Sequence, residues 1–222
     1  MRIGVISEGH ADRAVILNII KGVTGLDDSD IKAILPIRAL DETDKARLKA
    51  KEEFGGWSSV KNECEKRTLI DEFLSIEGQD FVVIHLDTAE CHEYGVQRPN
   101  KKENGYSKKV IELVIDQVNS WLGAISKNSF LYAIAVEETD AWILPIFESK
   151  DSSTIYKAKE KLATVLAKKD LNSKSDYNNF LILSKPFLNS RAVKRGKFLD
   201  YNYSLKAFVD EVQTKISPKL QN

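Results

Sequence analysis

The sequence has little cysteine and no long apolar run. Its two cysteines, Cys64 and Cys91, show neither a CxxC spacing nor a pairing with histidine, so they indicate reduced thiols and not a zinc site. No apolar stretch approaches the roughly 18 residues of a membrane span. Met1-Arg2 leads directly into a strand pattern, without a visible signal peptide. We therefore expect a cytoplasmic protein with no membrane contact.

The sequence also lacks an excess of charge of either sign. Its 33 basic and 33 acidic residues cancel, which argues against coating of nucleic acid by bulk charge but leaves room for a local basic groove. The chain has 222 residues, 42% of them apolar, which is enough to bury a sizeable core. We find no internal repeat and no clear linker in it.

Apolar runs alternate with helix-period patterns in the first two thirds of the chain. The runs predict strands at Ile3–Ser7, Ile31–Leu40, Phe81–Leu86 and Phe130–Val136, and the periodic patterns predict helices at Ala11–Gly22, Ser58–Ile76 and Lys108–Leu122. This order predicts an α/β fold in which helices flank a mainly parallel, Rossmann-like sheet of four strands.

The pattern changes after Glu138. The stretch "TDAWILPIFES" predicts a short helix or turn broken at Pro145, and further helices are expected at Ser152–Lys169 and Tyr203–Ile216. Residues 177–199 are expected to be irregular, and the charged stretch Asp41–Gly56 to be a loop or a solvated helix. We predict an α/β domain over residues 1–147 and a helical C-terminal extension, residues 148–222, packed on it.

Acidic residues follow three of the predicted strands. Glu8 and Asp12 follow the first strand, Asp87 the third and Glu138 the fourth. Ligands bind beyond the carboxyl ends of parallel strands, so these side chains should meet at one edge of the sheet. Each acid alone is explained by a helix start or a turn, but converging carboxylates repel one another unless a metal neutralises them. Oxygen ligands without histidine or cysteine suit Mg²⁺ or Mn²⁺.

The stretch "SEGHADRAVI", with Glu8, Gly9 and Asp12, resembles the E-G-x-x-D/E opening of TOPRIM domains, the catalytic fold of topoisomerases, primases and OLD-type nucleases. In that family a D-x-D pair ends the third strand. Asp87 matches its first member, whereas Ala89 stands at the second position and Glu90 follows it. The resemblance covers residues 1–147. "AVEETDAW" and "YSLKAFVDEV" also resemble small bacterial TOPRIM-like proteins, some of them associated with phage defence.

The resemblance implies a nuclease that hydrolyses phosphodiester bonds of DNA or RNA with Mg²⁺ or Mn²⁺. It assigns Glu8 and Asp87 to catalysis and implies a set of metal ligands: Glu8, Asp12, Asp87, Glu90 and Glu138. The chain has no GxxxxGK[ST] loop, so an ATPase partner would be a separate subunit. The alternative is a non-catalytic TOPRIM-like binding or regulatory module that acts with such an ATPase.

A third hypothesis is a receiver-like domain phosphorylated on Asp87. Receivers need an acidic pair after the first strand and a lysine after a fifth strand, and the sequence offers Ser7-Glu8 and only four predicted strands.

The histidines indicate a functional site less strongly than the acids do. His85 lies inside the third strand pattern and is expected to be a satisfied core histidine, whereas His10, beside Glu8 and Asp12, can hydrogen-bond a phosphate.

The stretch "KPFLNSRAVKRGK" is basic, without an acid among its residues. Its five cations are Lys185, Arg191, Lys194, Arg195 and Lys197. They predict contacts with a nucleic-acid backbone, with Phe187 and Phe198 placed to stack on bases, and the alternative is a solvated basic loop. The sequence leaves open whether the partner is DNA or RNA and whether the chain forms a homo-oligomer.

Overall fold

The computed structural model describes residues 1–36, 56–123 and 127–220, and its strands form one parallel sheet. The strands are β1 Arg2–Ile6, β2 Ile31–Leu35, β3 Gln79–Asp87 and β4 Phe130–Ala135. They lie in the order β2-β1-β3-β4, and each neighbouring pair is parallel. β1, β3 and β4 are buried along most of their length, as expected for a parallel sheet covered on both faces. The predicted α/β fold with a four-stranded parallel sheet is confirmed.

Helices cover both faces of this sheet. They are α1 His10–Thr24, α2 Trp57–Lys66, α3 Thr68–Leu74, α4 Tyr106–Leu122, α5 Asp140–Phe147, α6 Ala158–Ala167, α7 Tyr177–Leu183, α8 Ser190–Arg195 and α9 Tyr203–Lys215. Across residues 1–36, 56–123 and 127–220, none of the helices combines the length and the apolar character needed to cross a membrane.

Two apolar cores lie on opposite faces of the sheet. Val5 of β1 packs in one core with Ile19 of α1 and Phe208 of α9. Ile84 of β3 packs in the other core with Val114 of α4. The alternation of side chains along a strand sends neighbouring residues to opposite faces. As a result, α1 and the C-terminal helices share one face, and α2 to α4 cover the other.

The bounds of several predicted helices and strands differ from those in the structure. The predicted helix Ser58–Ile76 is two helices, because Arg67 between α2 and α3 adopts a left-handed conformation with φ 57°. The Glu63 carboxylate accepts hydrogen bonds from the backbone N–H groups of Leu69 and Ile70, at 2.7 and 3.0 Å, so it satisfies donors in the first turn of α3. β2 ends at Leu35. Residues 37–40 of the predicted second strand, and the charged stretch 41–55, lie outside the described residues.

Residues 177–199, expected to be irregular, contain α7, α8 and two short 3₁₀ helices, Lys185–Leu188 and Lys197–Tyr201. The side chains of Asp176 and Asn189 cap α7 and α8 by accepting hydrogen bonds from backbone N–H groups. The prediction was wrong here because these helices are six and seven residues long, too short for a periodic pattern to stand out.

Pro145, expected to break its segment, lies inside α5. A proline in a helix leaves the carbonyl four residues earlier without its usual donor. That carbonyl belongs to Ala141, and it accepts hydrogen bonds from Ser152 Oγ at 2.7 Å and from Asn202 Nδ2 at 3.1 Å. The C-terminal extension therefore supplies the hydrogen bonds that the proline removes.

Candidate metal centre

The carboxyl edge of the sheet carries an open pocket of about 890 Å³. α1 begins just after β1, and α5 begins shortly after β4, so both helix starts lie beside the end of β3. The acids that line the pocket are Asp12, Asp87, Glu138, Asp140 and Asp176, and its lysines are Lys159 and Lys174. Three of the predicted site residues, Asp12, Asp87 and Glu138, thus share one pocket.

Asp12, His85 and Asp87 form the tightest group of potential ligands at this edge. One ligand atom of each residue lies within 4.8 Å of the corresponding atoms of the other two. A divalent cation bound by oxygen ligands at about 2.0–2.6 Å can bridge atoms with this separation. The geometry of the group therefore fits a small divalent ion.

The two carboxylate oxygens of Asp87 have different surroundings. Oδ1 accepts hydrogen bonds from the backbone N–H of Thr139 at 3.0 Å and from Thr139 Oγ1 at 2.9 Å, and it lies 3.3 Å from His85 Nε2. Oδ2 has no hydrogen-bond donor among the described residues, and the side chain is 23% exposed to the pocket. The protein therefore fixes Asp87 through one oxygen and leaves the other for a ligand.

His85 is fully buried behind Asp87. Its Nε2 atom lies 2.7 Å from Thr139 Oγ1, while Nδ1 has no hydrogen-bond partner in the described part of the chain. A metal-bound histidine almost always donates its other ring N–H to an acceptor, so this ring fits a positioning role better than ligation. The sequence was right that His85 is buried. It was wrong that the ring is fully satisfied, and it gave no sign of the contact with Asp87.

The charge around His85 favours its protonated form. Burial by itself lowers the pKa of His85, but the hydrogen bond to Asp87 and the negative charges of Asp12, Asp87 and Glu8 raise that pKa to about 9. Burial, together with the charge of Asp12, raises the pKa of Asp87 even though its hydrogen bonds with His85 and Thr139 oppose the change. A proton on His85 therefore offsets part of the negative charge at this edge of the sheet.

Glu8 contacts the backbone of Asp87 and is not among the residues that line the pocket. Its Oε1 accepts a hydrogen bond of 2.6 Å from the backbone N–H of Asp87. Burial and the negative charge of Asp87 raise the pKa of Glu8 to about 8. In this position Glu8 holds the end of β3 in place, and it carries a proton at neutral pH when no cation is present.

The two adjacent glutamates after β4 have different surroundings. Glu137 is buried, with φ 66°, and pairs with Arg98 at 3.1 Å and with Lys101 at 2.5 Å. Glu138 lines the pocket, and its Oε2 accepts a hydrogen bond of 2.9 Å from the backbone N–H of Lys159. Glu138, which was predicted to be a metal ligand, therefore faces the pocket, whereas Glu137 does not line it.

Asp140 is a pocket residue that the sequence prediction missed. Burial, followed by the negative charges of Asp87 and Glu138, raises the pKa of Asp140 to about 7. Its position in the first turn of α5 is also what a helix-dipole explanation predicts, and this ordinary explanation hid its place in the site. Glu90, which was predicted to be a ligand, is exposed in the turn after β3 and does not line the pocket.

The basic segment lies away from the pocket. Phe187 is fully buried, and Phe198 packs against it with ring centroids 5.6 Å apart, so neither ring is placed to stack on a base. The backbone of Phe187 contacts Gly22 near the end of α1, which is about 18 Å along the helix axis from His10 at its start. Within the described residues, the five cations make no ion pair: Lys185, Arg191, Lys194, Arg195 and Lys197.

Comparisons of the chain with protein-family models, with curated proteins and with solved structures find no match. The TOPRIM resemblance thus remains a prediction, and the function has to be inferred from the pocket itself.

Proposed function

We propose that this protein is a metal-dependent phosphodiesterase that acts on nucleic acid. The observation that carries the proposal is the convergence of Asp12 and Asp87 in one open pocket, where they lie with three further acids and two lysines. Carboxylates arranged in this way bind Mg²⁺ or Mn²⁺, and lysines in the same pocket bind the phosphate groups that such ions accompany.

Asp12, Asp87 and Glu138 are the residues that would hold the cation. Asp87 offers the oxygen that accepts no hydrogen bond from the described residues, and His85, Thr139 and the backbone contact with Glu8 fix its orientation. When bound, a divalent cation supplies Lewis-acid stabilisation of charge on the phosphate and lowers the pKa of water. These ligands are oxygen atoms, in agreement with the Mg²⁺ or Mn²⁺ expected from the sequence.

Asp140 is the proposed general base. In the metal-free protein, burial and the neighbouring acids raise its pKa above the ordinary carboxyl value, and a carboxylate with a raised pKa is a stronger base. It lines the same pocket as Asp87, so it can accept a proton from the water that attacks the phosphorus atom. Lys159 and Lys174 bind the non-bridging phosphate oxygens and hold the scissile bond over the acids.

A nuclease assay tests this proposal. Plasmid DNA, single-stranded DNA and transfer RNA are incubated with the protein in Mg²⁺, in Mn²⁺ and in EDTA. We expect cleavage only with a divalent cation. Asp87→Asn should lower the rate by more than about a hundredfold, a loss exceeding that for residues which merely orient a ligand. Asp116→Asn, an exposed position on α4, is the matched control and should cleave normally.

Thermal unfolding supplies a second readout from the same variants. A cation that binds only the folded state stabilises it by about 2.7 kcal/mol at one hundred times its dissociation constant. We expect this gain in the wild type and in Asp116→Asn, and its loss in Asp87→Asn. A wild-type protein that neither cleaves nor gains stability with Mg²⁺ or Mn²⁺ contradicts the proposal.

The second candidate function is a binding module without catalysis. Its support is that protons on His85 and Glu8, whose pKa values are about 9 and about 8, offset part of the negative charge at this edge without any metal. Nucleic-acid binding that is equal in EDTA and in Mn²⁺, with no cleavage in either, would favour the binding module.

A further inference from the structure

Tyr156 presents an exposed aromatic ring just before α6. Its side chain is 71% exposed, whereas Tyr94, Tyr106 and Tyr132 are buried. Lys157, the next residue, adopts a left-handed conformation with φ 56°, which is uncommon for a residue other than glycine. The backbone before α6 is therefore held in a specific shape at the position from which this ring projects.

Two lysines flank the Tyr156 ring. Lys101 Nζ lies 5.6 Å from the ring centroid and Lys157 Nζ lies 5.9 Å from it. Both ammonium groups lie over the ring, and ion pairs with Glu137 and Glu160 hold them there. Their side chains are nevertheless 43% and 53% exposed, so both remain accessible to a ligand from solvent. An exposed aromatic ring with accessible cations over it suits an aromatic ligand that carries negative charge.

Contacts on both sides of Tyr156 connect it to the proposed metal pocket. Lys101 pairs with Glu137 at 2.5 Å, and Glu137 directly precedes the pocket residue Glu138. On the other side, the backbone N–H of Lys159 donates to Glu138 Oε2 at 2.9 Å, and Lys159 itself lines the pocket. The ring therefore lies beside the pocket and not on a remote surface.

We propose that Tyr156, Lys101 and Lys157 form a stacking platform for one unpaired base of single-stranded DNA or RNA. The base stacks on the ring, and the flanking phosphates contact the two lysines. The strand continues into the pocket at Lys159. This inference rests on the proposed function and adds a preference for single strands. In a duplex, neighbouring base pairs already cover both faces of each base, whereas an unpaired base stacks readily on an aromatic side chain.

Binding measured in EDTA tests the platform without cleavage. Fluorescent oligo(dT) and oligo(rU) of about 12 nucleotides are titrated with protein, alongside the duplex of the same oligo(dT) with oligo(dA). We expect Tyr156→Ala to weaken single-strand binding by about five- to a hundredfold, the usual effect of one stacking residue. Duplex binding should change less than about twofold, and Tyr156→Phe, which keeps the ring, should bind like the wild type.

Tyr203→Ala is the matched control, because Tyr203 is an exposed tyrosine, 42% accessible, at the start of α9. It should bind single strands like the wild type, and circular dichroism should show that every variant is folded. Equal weakening of single-strand and duplex binding by Tyr156→Ala, an unchanged single-strand affinity, or no single-strand binding by the wild type would each overturn the platform.

The platform and the proposed catalysis can fail separately. Metal-dependent cleavage together with an unchanged affinity in Tyr156→Ala would disprove the platform and leave the phosphodiesterase in place. Single-strand binding that depends on Tyr156, with no cleavage in Mg²⁺ or Mn²⁺, would support the platform and contradict catalysis. The affinities for oligo(dT) and oligo(rU) show whether the protein prefers single-stranded DNA or RNA.

Discussion

The position of Asp87 depends on two neighbouring side chains that are protonated at neutral pH. His85 contacts its carboxylate directly, and Glu8 accepts a hydrogen bond from its backbone N–H. Because the pKa values of His85 and Glu8 are about 9 and about 8, both side chains are protonated at neutral pH without metal. A cation that binds at Asp12 and Asp87 would favour loss of the protons from His85 and Glu8, so metal binding should release protons and strengthen as the pH rises.

The variant Glu8→Gln tests whether Glu8 is protonated in the folded, metal-free protein. The folded-state pKa of Glu8, about 8, lies above its ordinary value of 4.5, so its contribution to stability is complete below about pH 4.5 and is lost as the pH rises through about 8. Removing the charge should stabilise the metal-free protein at about pH 9 by several kcal/mol, because each unit of this pKa shift corresponds to about 1.4 kcal/mol. At about pH 4.5 the variant and the wild type should be equally stable.

Urea unfolding in EDTA across this pH range measures the difference. Glu112→Gln, an exposed position on α4 whose carboxylate lies 3.7 Å from Lys108, is the control and should follow the wild type at each pH. A Glu8→Gln variant that is less stable than the wild type at about pH 9 would show that the carboxylate is ionised and stabilising there.

At the scale of elements, the predictable parts of the molecule are those governed by burial. The strands β1, β3 and β4 are continuous apolar runs because helices cover both sheet faces, and their ends bring Asp12, Asp87 and Glu138 to one edge. Asp140 and His85 were missed as site residues because ordinary explanations, a helix start and a core position, account for each sequence position equally well. Asp140 and His85 come together in one site because α5 packs against the end of β3.

Gly22→Ala tests the contact between α1 and the C-terminal extension. In an isolated helix interior this change gains about 1 kcal/mol. Here a Cβ at residue 22 would lie 1.9 Å from the backbone oxygen of Phe187, so α1 and the 3₁₀ helix Lys185–Leu188 would have to move apart. We expect a loss of about 1–3 kcal/mol, as for overpacking in a core.

Chemical denaturation of Gly22→Ala gives the free energy of unfolding. The control is Lys206→Ala, at a half-exposed position of α9 whose main contact is a surface ion pair, and it should change stability by less than about 1 kcal/mol. Increased stability in Gly22→Ala would show that α1 and the extension are not in close contact.

At the scale of the whole molecule, the net charge is zero, but the acidic and basic residues are unevenly distributed over the surface. Five acids line the pocket at the start of α1, while Lys194 and Arg195, which make no ion pair within the described part of the chain, lie on α8, near the other end of α1. A nucleic acid that reached both regions would contact the cations through its backbone and the pocket through its scissile phosphate. Affinity and cleavage would then depend on separate parts of the surface.

The double variant Lys194→Ala, Arg195→Ala tests this separation. If both side chains contact phosphates, the slope of log affinity against log salt should fall by roughly 0.7 to 0.9 per lost contact, and all sequences should bind more weakly. Cleavage at saturating nucleic acid should stay within about twofold of the wild type, since the pocket is about 18 Å away along α1. Lys108→Ala, at an exposed position on α4, is the control and should leave the slope unchanged. An unchanged slope in the double variant would mean that these cations face solvent only, and that nucleic acid is held by the lysines of the pocket and its rim.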